Sequence, residues 1–152
     1  MGRALLLIAA LSCQGNESRD LENRMAELIN IEREARGLTP LAVSPALADA
    51  ARAYSGRMAA LRRVHHDLEN PVEDRIRTAL PDICTFGENI SKHTTIDYSL
   101  GDLLISEGHR ANLLSDRFTL IGIGIVRGED GFLYITQEFA RPCDPPKKRR
   151  RP

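Results

Sequence analysis

Apolar residues along this chain fall first into helical spacing and then into strand spacing. Leu47, Ala51, Tyr54, Met58 and Leu61 follow one another at steps of four and three, which is one face of an α-helix. Ser44-Pro45 opens that helix, with serine at the cap and proline at the first helical position. An earlier helix is predicted from Asp20 as N-cap, with Leu21, Met25, Leu28, Ile29 and Ala35 on or near one face and Gly37 past its end. Asn70-Pro71 reads as the start of a short helix through about Leu80. Residues 81–85 then form a loop holding Cys84, and Phe86 to Ser91 is a short extended piece. Thr94 or Thr95 caps a further helix carrying Ile96, Leu100, Leu103 and Leu104. After residue 118 the period changes to two: Ile121, Ile123 and Ile125 alternate with Gly122 and Gly124. Gly128-Glu129-Asp130-Gly131 is a turn, and Phe132 to Phe139 returns as a second strand. The two strand glycines leave one face bare, so another element or a ligand can approach closely. Helices first and a hairpin last predict an α+β domain.

Between the last helix and the hairpin stands Ser106-Glu107-Gly108-His109-Arg110-Ala111-Asn112-Leu113-Leu114, denser in polar groups than a plain connection needs. Val64-His65-His66-Asp67 and Gly87-Glu88-Asn89-Ile90 are two further polar clusters flanked by core-forming segments, and the fold is expected to bring the three together. Arg110 and Asn112 could bind a ligand, or could cap the preceding helix and tie the segment down. Ser106, His109 and Glu88 could be set out as nucleophile, base and orienting acid, but no nucleophile elbow surrounds Ser106.

The 152 residues suit one domain with a core. Net charge is zero, yet Lys147-Lys148-Arg149-Arg150-Arg151 carries five positive charges, so residues 1–146 sum to minus five. That tail reads as a solvated end, with a nuclear signal or an anionic-surface patch as the alternatives. Nothing else suggests nucleic acid. At the other end Arg3 precedes the apolar run Ala4 to Leu11 and then Ser12-Cys13. The run is far shorter than the roughly 20 residues that span a bilayer and has the layout of a secretory signal. With Cys13 at its exit it resembles a bacterial lipoprotein leader, although Ala10 and Leu11 stand where that signal has a leucine and then a small residue. Three cysteines are odd for a secreted chain. If Cys13 is acylated, Cys84 and Cys143 are left to pair, closing a loop of about 60 residues worth roughly 3–5 kcal/mol.

Taken in order, several stretches resemble the CAP superfamily (cysteine-rich secretory proteins, antigen 5 and pathogenesis-related 1), and most closely its compact bacterial SCP-like members. They are Asn30-Ile31-Glu32-Arg33 with Gly37-Leu38 and Leu41, Leu47-Ala48-Asp49-Ala50-Ala51, Gly87-Glu88-Asn89-Ile90, Ser106 with Gly108 to Leu114, Ile121-Gly122-Ile123-Gly124 and Tyr134-Ile135-Thr136-Gln137. The resemblance covers about residues 21–141. It implies a three-layer α–β–α sandwich with a small antiparallel sheet. The chain then divides into a leader at 1–13, a spacer at 14–19, the domain at 20–142 and a basic tail at 143–152.

The resemblance also implies a cavity lined by two histidines and up to two glutamates that hold a divalent cation. Carried over, these are His66, Glu88 and His109. The second glutamate has no counterpart: Ser106 approaches its position, and Glu107 could serve only by turning inward. Leu103 and Val64 stand where the family has aromatic residues. Two imidazoles and a carboxylate suit Zn²⁺ with one position open. Two functions follow. One is a monomeric binding module at the cell exterior or envelope, anchored by lipid if Cys13 is acylated, whose cavity takes a divalent cation, a lipid or another small apolar ligand, the partner being a small molecule, a lipid or an envelope ligand. The other is a metal-dependent hydrolase of a peptide or envelope polymer. The missing glutamate favours the first, because a hydrolase also needs an acid or base beside the metal.

Overall fold

The structure, a computed structural model, describes residues 2–144, with side chains from Gly15 onward. The expected acylation of Cys13 and the basic run after Asp144 lie outside what is described. Among the described residues, five helices and four strands follow in the order α1 (Gly2–Glu34), β1 (Ala42–Val43), α2 (Pro45–Leu61), α3 (Val72–Ala79), β2 (Ile83–His93), α4 (Ile96–Ile105), α5 (Glu107–Leu113), β3 (Leu120–Arg127) and β4 (Leu133–Pro142). One sheet has the order β1-β3-β4-β2. Its three long strands are antiparallel, and the two-residue β1 adds a parallel edge beside β3.

The alternation seen in the sequence decides which helices lie on which side. Ile121, Ile123, Ile125, Leu133, Ile135 and Phe139 point to one face and pack with Met25 and Ile29 of α1 and Leu100 and Leu103 of α4. Phe118 stacks on Phe139 there, with ring centroids 5.5 Å apart. On the other face Tyr134 packs with Tyr54, Met58 and Ile90, and Ala140 with Leu47, Ile76 and Ile83. Helices on both faces of the sheet make the expected three layers. The approach allowed by Gly122 and Gly124 is taken by α2. A Cβ at Gly122 would run into the Leu47–Ala48 backbone, and one at Gly124 into the Ala51–Arg52 backbone. Ser55 seals this contact by donating to the Gly124 carbonyl and meeting the Thr136 hydroxyl, both at 2.8 Å.

Most helix ends match their sequence signals, and some do not. Ser44 caps α2 through its hydroxyl with Pro45 following, and Thr95 caps α4. Gly37, at φ +73°, closes the turn after α1, where the Leu38 amide returns to the Arg33 carbonyl. Asp20 is not a cap, because α1 runs through it without a break. Asn70 does not cap α3 either. That helix starts one residue later, and the Val72 amide is met by the Asp67 carboxylate at 3.2 Å. The expected loop at 81–85 is largely strand. β2 begins at Ile83 because its edge pairs with the far end of β4, Ile83 opposite Pro142. The Cys84–Cys143 disulfide, with Cα atoms 4.9 Å apart, closes that end of the pair. For a loop of this length the chain-entropy account gives about 4 kcal/mol.

Candidate functional site

The polar segment at 106–114 is a short helix, α5, rather than a loop. Asparagine side chains hold it against β2. Asn112 donates to the Glu88 carbonyl at 3.1 Å and to Asn89 Oδ1 at 2.9 Å. Asn89 in turn donates to the His109 carbonyl at 3.1 Å and to Gln137 Oε1 at 3.2 Å. Gly87 makes room for this clamp, since a Cβ there would press on Phe118 and on Asn112 Oδ1. From the other side Arg33, only 1% exposed, donates to the carbonyls of Leu113 and Ser115 at 2.8 and 2.9 Å and of Thr39 at 3.0 Å. Arg110 Nη1 reaches the Leu104 carbonyl at the end of α4, at 3.2 Å. Arg110 and Asn112 thus tie the segment down. Glu107 is exposed at the start of α5, so it does not supply the missing carboxylate. Ser106 makes no side-chain hydrogen bond to His109 among the described residues, and no nucleophile–base contact forms there.

His66 and Glu88 do meet: His66 Nδ1 lies 2.7 Å from Glu88 Oε1, and the Glu88 side chain is 2% exposed. Tyr54 of α2 fixes the histidine's backbone. Its hydroxyl shares its proton between the carbonyls of His65 and His66, each at 2.6 Å, and accepts the Leu68 amide at 3.0 Å. His109 stands nearby on α5. Burial, and then the charge of His66, hold its pKa below the ordinary imidazole value. His65 points away, accepting the Asp67 amide, and His93 faces Asp102 at 3.3 Å.

Two residues that the sequence reading passed over complete the cluster. Arg75 of α3 pairs through Nη2 with the second Glu88 oxygen and donates through Nη1 to the carbonyls of His66 and Asn70 at 3.0 and 2.7 Å. Its guanidinium lies over the Tyr54 ring, 3.5 Å from the centroid. Glu138 of β4 is directly opposite Glu88 in the β2–β4 register, on the same face, and fully buried. Both of its oxygens lack a hydrogen-bond partner among the described residues, as does Arg75 Nε, which stands 3.8 Å away. Burial and then the neighbouring Glu88 push the Glu138 carboxyl up to about 8, against the pull of Arg75. Glu88 is also raised, because burial outweighs Arg75 and His66. The signal for Glu138 was available in the alternation of β4. Tyr134, Thr136, Glu138 and Ala140 share a face, so a charge there had to be buried.

These donors do not fit the divalent cation that the resemblance implies. A guanidinium already holds one Glu88 oxygen and faces Glu138. No group of three or more His, Cys, Asp or Glu side chains among the described residues is arranged to hold a metal ion. What the arrangement does provide is a buried carboxylate pair with a fixed arginine, and that arginine also lines an open groove of about 400 Å³. The groove lies between α2 and α3 and is lined by Ala53, Tyr54, Arg57, Glu69, Asp74 and Arg75, among others.

Residues 26–139 match the family model for CAP, the cysteine-rich secretory protein family. The chain is 36% identical over 123 residues to the Bacillus subtilis (strain 168) protein YkwD, covering 78% of this chain and 46% of that one. A crystal structure of an extracellular protein containing an SCP domain from Bacillus anthracis str. Ames superposes with a TM-score of 0.77 at 30% identity, over 84% of this chain and 42% of that one. An outer surface protein from Borrelia burgdorferi shares the fold at 17% identity, with a TM-score of 0.75 over 80% of this chain and 92% of that one. The chain thus spans less than half the length of the two Bacillus proteins. No helix among the described residues is long and apolar enough to cross a membrane. By sequence and by fold, this chain belongs to the CAP family of cysteine-rich secretory proteins.

Proposed function

We propose that this chain is an exported CAP-domain binding module that takes a short peptide-like envelope ligand in the groove between α2 and α3. The observation that carries this reading is the double role of Arg75, which forms part of the groove's floor while being fixed from beneath by Glu88. A groove needs a few convergent polar groups held rigidly, and Arg75 is held by a carboxylate, two carbonyls and an aromatic ring. The lining offers both signs of charge, Arg57 and Arg75 against Glu69 and Asp74, beside the apolar Ala50 and Ala53. That mixture suits a zwitterion with small side chains better than a fatty chain.

The test is a nitrogen–proton NMR titration with a soluble alanine-rich wall tetrapeptide, with decanoate in a parallel tube. Saturating shifts at Ala50, Ala53 and Thr78 with the peptide are expected, and Ala53→Trp, which fills the groove, should remove them. Shifts with decanoate alone would replace the peptide by an apolar ligand, and none with either would end the reading. Cleavage of the peptide during the titration would instead favour the hydrolase.

Export with an acyl anchor at Cys13 belongs to the same proposal and rests on the short apolar run ending at Ser12-Cys13. Intact mass of the native protein is expected to show a chain starting at Cys13 with added acyl mass. An unacylated product cleaved elsewhere would remove the anchor.

A further inference from the structure

Glu88 and Glu138 are direct neighbours across the β2–β4 ladder, and side chains so placed are close enough to interact strongly. Two buried carboxylates at that spacing cannot both stay charged without a cation or a proton between them. The carboxylate that the sequence lacks near α5 is thus supplied from a different strand. Yet the space in front of the pair is taken. Arg75 reaches in from α3 with its side chain only 10% exposed, places Nη2 on Glu88 and turns Nε toward Glu138. Its remaining nitrogen, Nη1, is spent on the loop that carries His66.

We infer that Arg75 is the resident cation of this site: it stands where a divalent ion would have to bind, and its removal would free His66, Glu88 and Glu138 to close on such an ion, an arrangement they do not hold while the guanidinium is in place. A metal ion entering the intact protein must displace the guanidinium from Glu88, from the carbonyls of His66 and Asn70, and from the Tyr54 ring. It must also overcome the repulsion between two positive charges in a poorly solvated place. With a neutral side chain at position 75, the repulsion is gone and the two carboxylates have one imidazole beside them. One imidazole and two carboxylates are a sound donor set for Zn²⁺ or Co²⁺.

The experiment is a calorimetric titration with Zn²⁺ and a visible-absorption titration with Co²⁺, on protein without a histidine tag. The proteins are wild type, Arg75→Met, Arg75→Met with Glu138→Gln, and wild type with His66→Ala. Methionine keeps a stem over Tyr54 while removing the charge, and circular dichroism checks that each variant folds. Wild type should be silent. Arg75→Met should gain a one-to-one isotherm and a tetrahedral cobalt band, and the added Glu138→Gln should take both away. Stoichiometric binding by wild type that His66→Ala abolishes would overturn the inference, as would a folded Arg75→Met that stays silent. A crystal structure of wild type grown in excess Zn²⁺ decides the matter even if Arg75→Met does not fold. Arg75 still on Glu88 supports it, and a metal ion at roughly 2.0–2.2 Å from Glu88 with Arg75 displaced refutes it. These titrations read metal alone, so they succeed or fail independently of any ligand in the groove.

Discussion

A Gly124→Ala variant should yield little or no folded protein. The added methyl has no rotamer to choose and no void to enter, because its position coincides with the Ala51–Arg52 backbone of α2. Overpacking against side chains typically costs about 1–3 kcal/mol, since flexible ends can yield. Here the obstacle is helix backbone, and relief requires α2 to withdraw from the sheet as a body. Withdrawal would break the two hydrogen bonds of Ser55 and loosen Leu47, Tyr54 and Met58, all buried against the strands. A loss on the order of 4 kcal/mol or more follows, a large share of the roughly 5–15 kcal/mol that holds an ordinary domain together. Urea unfolding followed by circular dichroism reads it. An unfolding free energy within about 1 kcal/mol of wild type would mean that α2 does not rest on the bare face of β3.

Wild type should also lose stability steadily from about pH 5 to pH 8, and Glu138→Gln should remove most of that loss. The folded protein keeps the Glu138 proton up to about pH 8, whereas the unfolded chain releases it near the ordinary value of 4.5. The stability tied to the neutral carboxyl is therefore complete below the unfolded value and disappears as pH climbs to the folded one. At about 1.4 kcal/mol per unit, the full span is on the order of 4–5 kcal/mol. The groups facing Glu138 are Glu88 from β2 and Arg75 from α3, with His66 beyond Glu88. Glu88 is raised as well and adds a smaller loss of the same sign. His109 acts oppositely: its lowered pKa means that stability falls as pH drops below the ordinary imidazole value. Urea midpoints measured at about pH 5, 7 and 9 on both proteins test this. Parallel curves would show that Glu138 does not hold its proton.

Much of this was legible in the sequence, for reasons that particular residues make clear. The stripe Leu47, Ala51, Tyr54, Met58 and the alternation Ile121, Ile123, Ile125 are local periodicities, and the elements built on them formed where expected. The bare strand face was readable too, because glycine at every second position has few other uses. Asp20 misled because it is a good cap wherever a helix starts, but the helix through it begins earlier. The contact of His66 with Glu88 follows segments carried over from a family pattern, and local spacing gave no hint of it. Arg75 was invisible for a different reason. On an eight-residue helix rich in charge, an arginine reads as solvated, and only the packing of α3 over Tyr54 turns it inward. Glu138 could have been found by extending the alternation of β4 past Gln137, where the family pattern stopped.

The disulfide gives the sheet a mechanical character. Cys143 is bonded to Cys84 just past the last residues of β4, and its amide also reaches the Asp82 carbonyl at 2.9 Å. A pull on the chain beyond Cys143 therefore enters through sulfur at the start of β2, before it can open the first β2–β4 hydrogen bond. Peeling β4 away from its free end, the easiest way to unzip an antiparallel pair, is closed off. The load enters instead at the Cys84 end of β2, at the end of the sheet away from the β3–β4 turn, so the two strands must shear along their whole ladder rather than unzip one bond at a time.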